Sequence, residues 1–443
     1  PQVVDRRLVY MSAPWKDAFS FASNLATDLD MEFAIASSPG WSVTGGPWVQ
    51  PEDAMKKITW STLNIDGGTL FKGQIPKPSG ETGPYQQVKI KQEFELLDGV
   101  VPDYFYRDSV VLAYPISSDS SPLFPSNMKL NGEEIDSSVL TDNNLTTGIP
   151  FPGLKGDSPG IISISFDTEK SVQSIQVYIS DLEQHSFNGP LLCELQGELS
   201  GTWQKLADIP LGTIPTTIKL PQTTAKNFRV MFQHGARSVD SFSKSFERIP
   251  GVDVISLFNS TGFGAENQLK SPRIVELHFT TQPKVNRFEA KANFVTTDDY
   301  YSVDTLDVED STGINPTQVI NITEFMDDRG YLEWTPPAGQ WQILRLGFSL
   351  TGKTNKPATI ESTGLEVDKY DRQAVERYLR SYLENYQNIE GMEKDSLQAL
   401  LVDSFEAGNA NWTPKILDHF ENLRGYDPTP WLPALTGVIV GSH

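Results

Sequence analysis

At 443 residues the chain exceeds the length at which one hydrophobic core keeps growing, so two or more domains are expected. Hydrophobic residues at 38% and aromatic residues at 10% supply packed cores and argue against general disorder. The 36 basic against 57 acidic side chains leave a net charge of −21, which speaks against a nucleic-acid partner, while one cysteine and five scattered histidines exclude a disulfide scaffold and a helical histidine-pair zinc site.

No apolar run reaches the roughly 18 residues a membrane helix needs, the longest candidate being Leu435–Val440, so no membrane partner is expected. Pro1 is not followed by a basic segment and an apolar core, so a secretion signal is expected only outside these residues. Asn144, Asn259, Asn321 and Asn411 open N-x-Ser/Thr sequons, about as many as chance supplies in this composition.

Trp15–Leu29 reads as a helix with Phe19, Ala22, Leu25, Ala26 and Leu29 on one face, leading into a strand at Met31–Ala36. Turn residues follow at Ser37–Trp41 and Gly45–Trp48, and Pro51 suits the first position of a short helix. Loops that follow strands are where α/β folds place chemistry, which makes Trp41 and Trp48 candidates for sugar stacking as well as for core packing. From about residue 110 to 281 the pattern changes to short β-rich runs, Ile161–Phe166, Val172–Ile179, Leu191–Gln196, Thr216–Leu220 and Phe228–Phe232, the signature of a β-sandwich. Gly156-Asp-Ser-Pro-Gly160 matches the spacing of a nucleophile elbow, but a strand follows it and no helix, so it reads as a turn. The stretch 237–270 is polar and rich in glycine and serine, as a long loop would be.

The βα rhythm then returns. Leu344, Leu346, Phe348 and Leu350 alternate as a strand, and Asp371 suits the N-cap of a helix with Ala374, Val375, Tyr378, Leu379, Tyr382, Leu383 and Tyr386 on one face. Between them Glu361, Glu366, Asp368 and Lys369 lie on a loop, where solvated charge is the default and a site is the alternative. Leu397–Val402 is a nearly continuous apolar run, as in a strand buried on both faces of a parallel sheet. It delivers Asp403 and Glu406 at its C-terminal end, followed by Asn409, Asn411 and Trp412, residue types that suit sugar hydroxyls and an apolar sugar face; helix capping or ion pairing fits the same carboxylates. Thr413-Pro414 is expected to cap a helix with Ile416, Leu417, Phe420 and Leu423 inward, stopped at Gly425.

Several strings taken together carry a resemblance: Ser38-Pro-Gly-Trp41 with Gly45-Gly-Pro-Trp48, Trp334–Trp341, Thr363-Gly-Leu-Glu-Val-Asp-Lys369, Asp403-Ser-Phe-Glu-Ala-Gly408 with Asn411-Trp-Thr413, and Arg424-Gly-Tyr-Asp427 with Leu432–Gly437. In that order they resemble glycoside hydrolase family 106, the α-L-rhamnosidases, over roughly residues 8–100 and 283–441. The resemblance implies an α/β plus all-β fold, a (β/α)8 TIM barrel interrupted by β-domains. It also implies inverting hydrolysis of terminal α-L-rhamnosyl linkages, a rhamnose-containing carbohydrate as partner, calcium in the site and a secreted protein. Carried over residue by residue, it makes Glu406 the general acid and Trp41, Trp48, Glu366, Asp368, Lys369, Asp403, Asn409, Asn411 and Trp412 candidates for substrate binding, with no residue matched to the general base. A general acid needs a carboxyl whose proton is retained by burial or by a neighbouring carboxylate, a part Asp403 could play. The expected organisation is 1–109 for the first part of the barrel, 110–281 for an inserted galactose-binding-like sandwich, and 282–443 for a β-rich return to the barrel. Only about four βα units are present, so this is expected to be an incomplete catalytic domain, nearly inactive by itself. Two rivals stay open: a carbohydrate-binding protein acting through the sandwich, where Leu140–Thr147 and Thr224–Arg229 resemble discoidin modules, and a glycosidase of another sugar specificity.

Overall fold

The computed structural model describes residues 7–40, 42–85, 88, 104–117, 122–151, 159–182, 191–234, 272–296, 313–355, 358–393, 395–402 and 405–441. Outside them lie Trp41, Asp403, residues 156–158 of the elbow-like string, Asn259 and the whole expected loop 237–270. In chain order the elements are α1 (Ala13–Asp28), β1 (Ala34–Ala36), β2 (Lys56–Asp66), β3 (Phe71–Gln74), β4 (Tyr106–Ile116), β5 (Pro122–Leu123), β6 (Asn127–Leu130), β7 (Glu133–Ile135), β8 (Ile149–Pro150) and β9 (Gly160–Ser180). There follow β10 (Leu191–Leu199), β11 (Thr202–Asp208), β12 (Thr216–His234), β13 (Arg273–Thr280), α2 (Phe288–Lys291), β14 (Ile320–Asn321), β15 (Tyr331–Trp334), β16 (Gln340–Leu350), α3 (Arg372–Gln387), β17 (Ala399–Leu401) and α4 (Ile416–Arg424). Contacts divide the chain at 114/115, 319/320 and 429/430, against expected boundaries at 109/110 and 281/282.

The first unit joins residues 1–114 to 320–429. Its four-stranded sheet runs β14-β4-β16-β2, and β16 pairs β2 without interruption from Gln340↔Asp66 to Leu350↔Lys56. β16 is buried on both faces beyond its first residues, which explains its apolar content. Beside this sheet β1 and β17 pair in parallel, Ala34↔Ala399 to Ala36↔Leu401, as a two-stranded sheet. The partial TIM barrel expected from sequence is not shown by the described residues: their parallel sheet has two strands, and most of their strands pair antiparallel. Burial of Leu397–Val402 on both faces fails for the same reason. With one neighbouring strand, Leu401 and Val402 stay about 60% exposed.

The tyrosine helix forms as its pattern dictates. Asp371 caps α3 by accepting from the amides of Gln373 and Ala374, and Ala374, Tyr378, Tyr382 and Tyr386 are buried every fourth residue. The phenols find acceptors: Tyr378 donates to Ser37 O at 2.6 Å and Tyr382 to Ala36 O at 2.7 Å, which ties α3 to the end of β1. The face of α1 differs from expectation. Trp15 stacks on Phe19, both rings meet Tyr386, and Ser23 donates to Ser396 at 2.7 Å. These partners draw the Phe19-Ser23-Ala26 side inward and leave Ala22, Leu25 and Leu29 exposed. In α4, Gly425 stops the helix at φ 79°, but the N-cap is Lys415 and not Thr413, and Leu423 is 82% exposed.

The second unit joins residues 115–319 to 430–443 and is built on a nine-stranded antiparallel sheet, the core of which runs β11-β10-β12-β9-β13-β5. The two runs expected as Ile161–Phe166 and Val172–Ile179 are one 21-residue strand, paired with β12 on both sides of an irregularity where the register jumps from Asn227↔Ser165 to Ala225↔Lys170. The buried phase shifts from even positions, Ile162, Ile164, Phe166 and Val172, to odd ones, Ile175, Val177 and Ile179, where the β12 register slips at 219/223. Both halves thereby enter one core with Phe228, Val230, Phe232, Leu277 and Phe279.

Candidate active site

Three irregular segments of the first unit converge, each following the C-terminal end of a strand: 37–55 after β1, 351–369 after β16, and 405–413 after β17. Their backbones interlock. The amide of Gly46 donates to Leu365 O, that of Met55 to Glu366 O, that of Asp368 to Asp53 O, and that of Asn411 to Lys56 O. Glycines permit the approach: a Cβ on Gly364 would lie 2.2 Å from Gly46 O, and one on Gly45 would lie 3.0 Å from Glu366 Oε1.

The loop charges expected to be solvated are not. Glu366 and Asp368 are fully buried, so burial pushes both carboxyls above their ordinary range, opposed at Glu366 by the ammonium of Lys369. Lys369 Nζ donates to Glu366 Oε2 at 2.7 Å and to Val367 O at 3.1 Å, and lies 5.5 Å from the centroid of the Phe405 ring. The hydroxyls of Ser42 and Thr413 lie against Glu366 and Asp368 and oppose the upward shift, while Thr44 Oγ1, Trp48 Nε1 and Trp412 Nε1 are buried without a hydrogen-bond partner among the described residues. Unanswered polar atoms on adjoining segments are a departure from the usual satisfaction of buried groups, and such departures concentrate at functional sites. Glu361 stays outside this group and pairs with Arg7 at 2.7 Å.

Lys56, which sequence reasoning missed, is as buried as Glu366. Its Nζ donates to Pro51 O at 2.8 Å, Glu52 O at 3.0 Å and Ala54 O, and it lies 4.7 Å from the Phe105 ring centroid. Burial pushes the ammonium down to about 8, although Asp368 opposes the shift. The Lys56-Lys57 doublet at the start of a strand gave no sign of which lysine turns inward.

The sugar-suited side chains separate in the structure. Trp48 packs on Tyr382 and Tyr378 at 5.3 and 6.3 Å, Trp412 is buried and stacked on Phe348 at 6.4 Å, and Asn411 Oδ1 accepts from the amide of Ile58 at 2.9 Å. Asn409 is half-buried on the same segment. Glu406 is exposed on the irregular backbone after β17 and next to Phe405, so the burial expected of it is absent, whereas Glu366 and Asp368 are enclosed. Calcium takes six to eight oxygen ligands, and among the described residues no group of three or more carboxylate, histidine or cysteine side chains converges to hold a metal.

The sequence profile of glycoside hydrolase family 106, alpha-L-rhamnosidase, matches residues 1–443. A protein of Formosa agariphila named a putative beta-glucuronidase is 41% identical over 434 residues, 98% of this chain and 22% of its own length. The rhamnosidase from Novosphingobium sp. PP1Y has a structure similar to this one at a TM-score of 0.81 and 35% identity, covering 100% of this chain and 38% of that chain. The chain therefore spans less than half the length of these relatives.

Proposed function

Because this chain belongs to glycoside hydrolase family 106, the alpha-L-rhamnosidases, we propose that it forms part of an enzyme that releases terminal α-L-rhamnosyl residues from a glycoside or polysaccharide with inversion, Glu406 acting as general acid. In this reading β1 and β17 are neighbouring strands of a (β/α)8 barrel, and the second unit is an insert in it. The observation that carries the reading is the position of Glu406: it follows the C-terminal end of a parallel strand, open to solvent, on a segment tied to a cluster of buried carboxylates and ammonium groups. Glu406 donates its proton to the glycosidic oxygen as the bond to the anomeric carbon breaks, and a water attacks the opposite face of the ring. An inverting enzyme needs a second carboxylate roughly 6.5–9.5 Å away to accept the proton of that water. Glu366 and Asp368 are closed off from solvent, Glu366 being bound to Lys369 as well, so neither is assigned that role.

In the full-length enzyme Glu406→Gln should lower kcat by about 10²–10⁴ on a rhamnoside with a poor leaving group, with KM little changed. An unaltered kcat removes Glu406 from the mechanism. NMR of the first-formed sugar should show the β-anomer; the α-anomer would overturn inversion. The printed name of the Formosa agariphila relative supplies the competing substrate, and a comparison of aryl α-L-rhamnoside with aryl β-D-glucuronide turnover decides between them.

A further inference from the structure

We propose that Lys369 is a positioning residue for Glu406: held by Glu366, its ammonium pins the ring of Phe405 and thereby fixes the backbone from which the neighbouring carboxyl projects. The inference rests on the reading of Glu406 as general acid and deepens it. Phe405 is 58% exposed and has little burial to hold it, yet its ring faces a cation at 5.5 Å. An ammonium over an aromatic face is attracted by the ring quadrupole, and more strongly when it is partly desolvated, as Lys369 is with a side chain 19% exposed. The cation cannot drift, because Glu366 Oε2 at 2.7 Å and Val367 O at 3.1 Å take two of its three protons, and Glu366 is completely enclosed. Glu366 in turn lies on a backbone locked to Gly45, Lys353 and Met55. The chain Glu366, Lys369, Phe405 thus runs from an enclosed, backbone-bonded carboxylate to the residue before Glu406.

A misplacement of about 1 Å in a reacting group costs on the order of 10² in rate, so releasing Phe405 should impair proton donation without removing it. The test uses two rhamnosides in the full-length enzyme, methyl α-L-rhamnoside, whose leaving group must be protonated, and 2,4-dinitrophenyl α-L-rhamnoside, whose leaving group need not be. Lys369→Met and Phe405→Leu should each lower kcat on the methyl glycoside by about 10–100-fold and leave the dinitrophenyl rate within about threefold. Lys369→Arg, which keeps the charge over the ring, should restore most of the loss. Equal losses on both substrates from Lys369→Met and Phe405→Leu would mean a merely structural role and overturn the proposal. So would a full rate on the methyl glycoside. Glu406→Gln is run in parallel: if it shows no dependence on the leaving group, the general-acid reading itself falls, whereas dependence there and none at 369 or 405 defeats the positioning role alone.

Discussion

The two units place their buried polarity differently. In the second, an antiparallel ladder satisfies its backbone strand by strand, and the core is apolar: Phe166 meets Phe228 at 6.0 Å and Phe279 at 5.9 Å, edge to face. Of its enclosed carboxyls, Glu289 is served on both oxygens, accepting from Thr217 N at 3.1 Å, Thr217 Oγ1 at 2.6 Å and Gln176 Nε2 at 3.2 Å, whereas Glu276 meets His278 through Oε2 and leaves Oε1 without a partner among the described residues. The first unit instead gathers its enclosed charges, Lys56, Glu366 and Asp368, on converging loops, with the unanswered Thr44 Oγ1, Trp48 Nε1 and Trp412 Nε1 on the same segments. In the sheet the buried polar groups sit singly within a strand ladder; segments that meet after strand ends, held by side chains from distant parts of the chain, bring several together.

The largest effect expected from this contrast is in the second core. Phe228→Ala should cost about 3–5 kcal/mol, read from the urea midpoint, because the ring is fully buried between two others. A loss under about 1 kcal/mol would mean that the cluster collapses around the cavity and that the core is looser than its contacts imply. In the first unit the Arg345 guanidinium clasps Asp108 through two bonds of 2.7 and 2.8 Å. Burial pushes the Asp108 carboxyl up, but the bonds from Arg345 and Tyr106 prevail and hold it below its ordinary value of 3.8. Arg345→Met, which strands that carboxylate, should cost about 3 kcal/mol at neutral pH. The pair's contribution is present above about pH 4 and lost as pH falls through the lowered value, so the variant should also lose part of the acid limb of the stability profile. An acid limb unchanged from the parent would show that Asp108 is not held by this pair.

Glu289 gives the opposite slope. Burial raises its carboxyl from 4.5 to about 7, so the folded state keeps a proton that the unfolded state releases. Stability should then decline by about 2–3 kcal/mol as pH rises from 4.5 to 7. Glu289→Gln should flatten that window in a pH series of urea melts, and a profile already flat in the parent would place the charge elsewhere. The smallest effect belongs to α4, where Leu423→Lys should change stability by less than about 0.5 kcal/mol. A destabilisation beyond about 1 kcal/mol would mean that this face is covered, and the contrast between the units would narrow.

Features set within one turn or one strand were legible beforehand. The Asp371 cap, the tyrosine stripe of α3, the existence of strand β16 and the stop at Gly425 depend on near neighbours in sequence, although β16 is buried on both faces and not in alternation. The failures share a cause as well. Leu401 and Val402 looked doubly buried because an apolar run does not state how many strands flank it, and the α1 face was misplaced because Trp15 and Phe19 answer to Tyr386 rather than to the helix's own periodicity. At the site the strings around Glu366 and Glu406 were visible as strings, but nothing local distinguished the solvated Glu361 pair from the enclosed Glu366.

By itself, then, the sequence determined the family, the antiparallel character of the middle of the chain and the local geometry of its helices, since each is written in periodicity, capping and motif order. Tertiary structure alone decided which charges are enclosed. Glu366 loses its water because Gly45 and Gly364, far apart in the chain, lack the side chains that would hold two backbones apart, and Lys369 meets Phe405 because two loops end at the same place. Desolvation depends on what closes over a group from elsewhere in the fold, and no window of neighbouring residues contains that information.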